Sequence, residues 1–366
     1  MERQPTQGLR HDETHIPSST LPIVAGRRPS DFRLTDPGEA NAPRKRLAGH
    51  LHGSGIEIGP GSHPFRLLPA GVDVRFVDRF GPTDRRELVA ELRGDGDISH
   101  PGGATDYVEP DIVADFNTDR LTAIADESQD FVIASHVLEH LAEPIGFIAE
   151  IHRVLRTGGV TLILLPDRQR TEDRFRPPTP LDHLVAEHRA GVSEVSDAHL
   201  IEFLKDRGKR VKGSPEDRQR ILDTWRKQSI HVHCWDAQEF LGVLLWGIEQ
   251  LGEQWEFVDG CLYEPPIHYE FGYVLRRSAT LMDPVVRSHQ FEESWKTWRD
   301  AQLRLRPTSL AQTRPHRIPA SVYQSARRQI RQYRLLAWSF RNANRLASWV
   351  RRFRGTRVGS LKEGSR

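Results

Sequence analysis

The chain of 366 residues has only two cysteines, Cys234 and Cys261. Two thiols can build neither a disulfide framework nor a four-thiolate zinc site, which fits a reducing cytoplasm, and both are expected to be ordinary buried side chains. Nowhere do about 18 consecutive apolar residues occur, and the first twenty residues offer no apolar stretch for a signal peptide, so neither a membrane span nor secretion is expected. Apolar residues are scarce overall, at 37% against roughly 45–50% in a compact chain. With 28% charged residues and 24 prolines, long polar segments must lie outside the core. Charge of one sign is lacking only on average. The net charge of +2 conceals a segment, 321–366, with 12 Lys or Arg against one acidic residue, Glu363, so the rest of the chain is net acidic.

The pattern along the chain divides it. Residues 1–45 are rich in Pro, Ser, Thr and charge without a sustained period and read as a flexible leader. From residue 46 short apolar runs bounded by Gly, Pro or Asp alternate with amphipathic stretches, the pattern of an α/β sheet, and this continues to Arg277. Strands are expected at 55–58, 72–77, 131–135 and 160–165. Between the last two, Leu138, Leu141, Ile145, Ile148, Ile151, Val154 and Leu155 recur at three- and four-residue steps, which predicts one buried helix over 137–155. Residues 168–229 form a charged insertion with helices near 181–188 and 198–207. Regularity returns at 231–235, in a helix near 237–251 and in strands near 255–263 and 269–276, a pair that would close the sheet in antiparallel fashion. Residues 278–366 read as a linker and a basic extension.

Chemistry-bearing residues fall at strand ends. The first strand runs into Glu57-Ile58-Gly59-Pro60-Gly61-Ser62-His63, where glycines let the chain turn tightly and let a ligand meet bare backbone at the sheet's binding edge. The loop lacks the Gly-Lys-Ser/Thr of a phosphate loop, and His63 and Pro64 stand where a dinucleotide fingerprint asks for its third glycine. The second strand ends in Asp78, about 20 residues on, where a carboxylate can accept from both hydroxyls of a ribose. After a third strand, Asp115 and Phe116 suit an adenine amino group and ring.

In that order, Glu57-x-Gly59-x-Gly61, Asp78, Asp115, Asp130-Phe131-Val132-Ile133-Ala134-Ser135-His136-Val137-Leu138-Glu139-His140 and Arg153-Val154-Leu155-Arg156-Thr157-Gly158-Gly159 resemble class I S-adenosylmethionine (SAM)-dependent methyltransferases of the methyltransferase type 11 kind. Pro166-Asp167-Arg168 and Arg176-Pro177-Pro178-Thr179-Pro180-Leu181-Asp182-His183-Leu184 resemble a subgroup often encoded beside glycosyltransferases. His63 and the long segment between Asp78 and Asp115 depart from the pattern. The resemblance implies a Rossmann-like, mostly parallel α/β sheet with an antiparallel closing strand, a helical insertion and a basic helical extension. It implies SAM as cofactor, held by Glu57, Gly59, Gly61, Asp78, Asp115, Phe116 and Ser135. The acceptor would be a small molecule or glycan, methylated at oxygen. Displacement at a sulfonium methyl relies on proximity and alignment, and a base is needed only where the acceptor loses a proton. His136 and His140 are the candidate catalytic residues, with His183 a distant third.

Other readings compete. A fold that keeps the pocket could serve as a non-catalytic binding or scaffolding module in a cell-surface glycan pathway. His136-Val137-Leu138-Glu139-His140 spells the H-x-x-E-H of inverted zinc peptidases, but it begins where a parallel strand ends. His231 and His233, with His183 and His188, are metal-ligand types, yet alternation along a strand pairs two histidines by default, and no metal is expected. In the basic segment Leu346, Trp349, Val350 and Phe353 sit at i, i+3, i+4 and i+7 among arginines, which suits an anionic membrane surface; nucleic acid is not expected. The expected setting is the cytoplasm, with peripheral attachment at the inner membrane face.

Overall fold

The computed structural model describes residues 42–81, 83–84, 107–206, 211–262 and 269–305. The leader up to residue 41, the Glu264-Pro265-Pro266 turn and the basic segment 321–366 lie outside the described residues. In chain order the elements are α1 (Ala42–Ala48), β1 (Ser54–Ile58), β2 (Asp73–Asp78), β3 (Ile112–Val113), β4 (Gln129–Ser135), α2 (Pro144–Val154) and β5 (Leu155–Pro166). There follow α3 (Leu181–Ala190), α4 (Asp197–Asp206), α5 (Pro215–Arg226), α6 (Ala237–Trp246), β6 (Trp255–Cys261), β7 (Glu270–Arg277) and α7 (Pro284–Leu305). Short 3₁₀ turns cover Leu138–His140 and Glu172–Phe175, and a π turn at Gly247–Leu251 extends α6.

Seven strands form one sheet in the order β3-β2-β1-β4-β5-β7-β6. All neighbours are parallel except β7, which runs antiparallel between β5 and β6. This is the Rossmann-like, mostly parallel α/β sheet with an antiparallel closing strand that the sequence leads one to expect. The order reverses at β1, with β2 on one side and β4 on the other, so the ends of these strands form the switch point where open sheets of this kind bind ligands.

Period-two alternation places the core on both faces. Val132, Ala134, Ile163 and Leu165 point to one face, against α2, α6 and α7, while Phe131, Ile133, Leu162 and Leu164 point to the other with Leu47, Leu51 and Phe65. A strand buried on both faces reads as a near-continuous apolar run, which is how residues 160–165 appear in the sequence. Both cysteines are free and buried.

Three expectations need correction. The apolar stripe at 137–155 is not one helix: Leu138–His140 is a 3₁₀ turn, and α2 starts at Pro144, with the Glu143 side chain capping Gly146 N at 2.7 Å. Proline keeps its predecessor out of the α region and is itself well placed at the first helical position, so a continuous spacing pattern is broken by local geometry. Residues 231–235 form no strand, and their pairing is reduced to a parallel bridge between Trp235 and Asp167. The folded domain also reaches beyond 46–277. At one end α1 begins at Ala42, with Arg44 paired to Glu270 of β7, and at the other α7 carries Phe291 and Trp295 into the core.

Candidate functional site

The switch point is built from glycine geometry and carboxylates. Gly59 and Gly61 adopt φ of +63° and +51°, a left-handed conformation that is cheap only for glycine. A Cβ on Gly59 would also meet Val137 Cγ2 at 3.1 Å and Phe116 Cε2 at 3.6 Å, whereas one on Gly61 would meet nothing within 4 Å. The loop therefore packs against Phe116 at one glycine and leaves open space at the other. Asp78, buried at the end of β2, accepts from Gly61 N at 3.0 Å and from Arg79 N at 2.6 Å, tying the acid at the end of β2 to the glycine turn. Phe116 is braced edge-on by Phe147, ring centroids 5.8 Å apart.

Glu57 is 1% exposed. Its Oε1 accepts from Phe65 N at 2.8 Å, and its Oε2 has no hydrogen-bond partner. Burial pushes this carboxyl up to about 8, against the Phe65 bond, which lowers it. Such a group welcomes a donor or cation brought in by a ligand. Asp115 is differently placed: it accepts from Asn117 N at 2.9 Å and pairs with Arg79 Nε at 2.6 Å. Its carboxylate thus shapes the loop around Phe116.

Beyond β4, Ser135 pairs in register with Leu164, and His136 N donates to Leu164 O at 2.9 Å. His136 takes φ +57°, a strained value for a residue with a Cβ. Its ring lies between two acids, Nε2 2.9 Å from Glu270 Oε2 and Nδ1 3.4 Å from Glu139 Oε1. Burial opposes the charged ring, but the flanking carboxylates of Glu139 and Glu270 outweigh it and raise His136 to about 9. Glu270 is itself held by Arg44 of α1 through two bonds of 2.6 Å, and Arg44 and His136 overcome its burial to pull it down to about 2.

His140 has the opposite environment. Burial lowers it to about 4 despite the Glu139 charge, and its Nδ1 lies 2.8 Å from Ile230 O. That contact needs the proton on Nδ1, which leaves Nε2 with its lone pair, 3.7 Å from Glu139 Oε1. Glu139 between them is fully buried with a lowered pKa: burial would raise it, but its interactions with the His140 and His136 rings prevail. Neither of its oxygens reaches hydrogen-bonding geometry. The H-x-x-E-H string is not α-helical here, and His136 turns to Glu270, so His136 and His140 do not converge as a peptidase pair.

The insertion closes over this loop. Val232 N and His233 N donate to Glu139 O at 2.7 and 3.1 Å, and His188 Nδ1 reaches Glu143 Oε1 at 3.1 Å. Two sets of ligand-type side chains result. In one, Glu139, His140 and His231 offer atoms within 4.8 Å of one another, His231 being fixed by Asp173 at 2.5 Å. In the other, His183 joins Glu187, His199 and His233. His183 thus belongs to the insertion and not to the site loop.

The structure gathers Glu57, Gly59, Gly61, Asp78, Asp115 and Phe116 at the ends of β1 to β3, and Ser135, His136 and His140 at and after the end of β4. Sequence reasoning missed Glu270 and Arg44, which set the charge of His136 from 134 and 92 residues away in the chain, and Glu187 and His199, which lie on helices at unremarkable spacing. Only the acid beside a strand start and the H-x₃-E of α3 could have flagged any of them.

A sequence model of the family described as Methyltransferase domain matches residues 102–163, a stretch that holds Asp115, Phe116, Ser135, His136 and His140. Comparison with curated protein sequences gives no match. Among solved structures the chain is similar to a SAM-dependent methyltransferase from Aquifex aeolicus, at 15% identity over 64% of this chain and 89% of that one, TM-score 0.32. It is similar to a SAM-dependent methyltransferase from Methanosarcina mazei at 14% identity over 64% and 98%, TM-score 0.33. It is similar also to the CurJ carbon methyltransferase at 12% identity, TM-score 0.31, covering 62% of this chain and 49% of that one, so the chain spans about half the length of that protein.

Proposed function

We propose that this chain is a SAM-dependent methyltransferase acting at oxygen of a small-molecule or glycan-type acceptor. The observation that carries the reading is the convergence, at the switch point of the sheet, of the open glycine turn, Asp78, and a buried Glu57 with one carboxylate oxygen lacking a partner. The residues fit the cofactor chemically: an unpartnered buried oxygen suits an ammonium, Asp78 suits vicinal hydroxyls, and Phe116 presents an aromatic face beside Gly59. SAM, when bound, supplies a methyl on a sulfonium.

The chain's own residues would then position and deprotonate. His140, neutral with its Nε2 lone pair available, is the better proton acceptor for an incoming hydroxyl. His136, charged at neutral pH, cannot accept a proton and instead sets a fixed positive charge between Glu139 and Glu270 beside the acceptor's path. That assignment divides two roles which the sequence left shared. The insertion, together with the 231–235 segment hydrogen-bonded to the Glu139 carbonyl, limits water and shapes the acceptor side. A non-catalytic SAM-binding module is the second reading, favoured by the ion pairing that immobilises His136.

Calorimetric titration with SAM and with its demethylated product tests the pocket. Binding in the micromolar range is expected. Asp78→Ala should weaken it at least tenfold, since one charged hydrogen bond contributes about 1.5–3 kcal/mol, and Gly59→Val should abolish it through the left-handed φ and the Val137 contact. No binding by a folded protein would sink the proposal. Transfer of a labelled methyl to sugars or glycolipids separates enzyme from module, and a product methylated at nitrogen or carbon would overturn the choice of oxygen.

A further inference from the structure

The insertion holds a cluster that the methyl-transfer reading does not use. His183 and Glu187 lie four residues apart on α3 and so share one face. His199 stands in the first turn of α4, and His233 comes from the irregular segment that packs on the Glu139 loop. His233 is fully buried and His199 is 8% exposed. Three segments of sequence, spanning 50 residues, thus deliver three imidazoles and a carboxylate to one point.

The distances are those of ligands around an ion. His183 Nε2 lies 3.0 Å from His199 Nε2 and 3.2 Å from Glu187 Oε1. His199 Nε2 is 3.4 Å from the same oxygen, and His233 Nε2 is 3.6 Å from Glu187 Oε2. A tetrahedral zinc bound at about 2.0–2.1 Å requires ligand–ligand separations of roughly 3.3–3.4 Å; these four contacts lie around that value, and all four side chains offer ligand atoms within 4.8 Å of one another. Hydrogen bonding alone accounts for the cluster poorly. Two Nε2 atoms in contact can share only one proton between them, and Glu187 Oε2, though buried, has no hydrogen-bond partner. The alternative partner for His233 Nε2 is Ala142 O, at 3.4 Å, the long end of the hydrogen-bond range. On the far side of His199, Ser196 Oγ meets Nδ1 at 2.9 Å and fixes the ring so that Nε2 faces the cluster. Ring orientation of this kind is what a ligating histidine needs.

We propose that His183, Glu187, His199 and His233 form a closed four-ligand site for a zinc-class divalent cation that fastens the insertion to the sheet domain. Three imidazoles and a carboxylate with no thiolate suit zinc; Cys234 is close in sequence, but its Sγ turns to Pro177 O. Four protein ligands leave no open position, so the ion is structural. The insertion has reason to need one, since its own core is confined to Leu200, Phe203, Leu204, Leu222, Trp225, Ile230 and Val232, and small cores commonly rely on a staple. The proposal is independent of methyl transfer.

Elemental analysis of the purified full-length chain should find about one zinc per molecule. After chelation and dialysis, titration with Zn²⁺ should restore it and raise the thermal midpoint, and Co²⁺ should give the strong visible absorption of a tetrahedral site. His183 is partly exposed, so His183→Ala should fold while binding zinc at least tenfold more weakly, and Glu187→Gln should do the same. His140→Ala should retain the ion. A folded chain that neither contains nor takes up Zn²⁺ overturns the proposal, as does loss of the ion in His140→Ala with retention in His183→Ala, which would place it at the Glu139, His140, His231 set.

Discussion

Two histidines four residues apart carry opposite charge states because different elements face them. His136 meets Glu139 from its own turn and Glu270 from β7, with Arg44 of α1 and Tyr269 near them; His140 meets the Ile230 carbonyl and the His231 ring. The folded His136 titrates near 9 instead of the ordinary 6.5, so its stabilisation is fully present below 6.5 and is lost as pH rises through about 9. For His140, brought down to about 4, the stabilisation is present above 6.5 and lost as pH falls through about 4. Denaturant midpoints should therefore decline on both flanks. His136→Gln should flatten the alkaline flank, removing on the order of 1–3 kcal/mol of pH-dependent stability, and leave the acid flank in place. An alkaline flank unchanged in that variant would show that His136 is not charged in the folded chain. The histidines themselves were legible, because they follow a strand and sit in a quoted motif. Their charge states were not, since Glu270 and Arg44 announce nothing in sequence and become partners only when β7 docks on β5.

At the scale of elements, the parallel strands were readable because burial on both faces writes a continuous apolar run, and the turn after β1 because glycine is required there. The stripe at 137–155 misled for a physical reason: Leu138 and Leu141 are buried from a 3₁₀ turn at the same spacing that a helix would give them. The order in which β7 enters the sheet was invisible, as pairing depends on faces and not on sequence neighbours. The last described helix, α7, falls in a stretch that sequence assigned to a linker because its apolar residues are few. Those few are large: Phe291 and Trp295 are 1% exposed and pack beside Tyr273 and Phe257. Trp295→Ala should cost about 3–5 kcal/mol, whereas Leu281→Ala, on a side chain 85% exposed, should stay within about 0.5 kcal/mol. Urea unfolding measures both. Equal midpoints for the two variants would mean that α7 is a passenger on the domain.

For the whole molecule, the charge distribution outlined in the sequence sets the remaining question, which is what an acidic body and a basic segment do in one chain. No described helix is long and apolar enough to cross a membrane. A glycan-type acceptor carried on lipid would nonetheless place the reaction at a surface. We propose that segment 321–366 provides attachment there, because Leu346, Trp349, Val350 and Phe353 recur at helical spacing among Lys and Arg, the two kinds of side chain that surface binding needs. Each Lys or Arg near an anionic leaflet contributes about 1 kcal/mol, attenuated by salt. Vesicles containing anionic lipid should therefore sediment the full chain at low salt, should sediment less of it as salt rises, and should leave behind a chain ending at Thr308. Neutral vesicles should bind weakly through the apolar face alone. If the shortened chain sediments equally well, the segment serves the protein's own body, and the acceptor must be sought among soluble molecules.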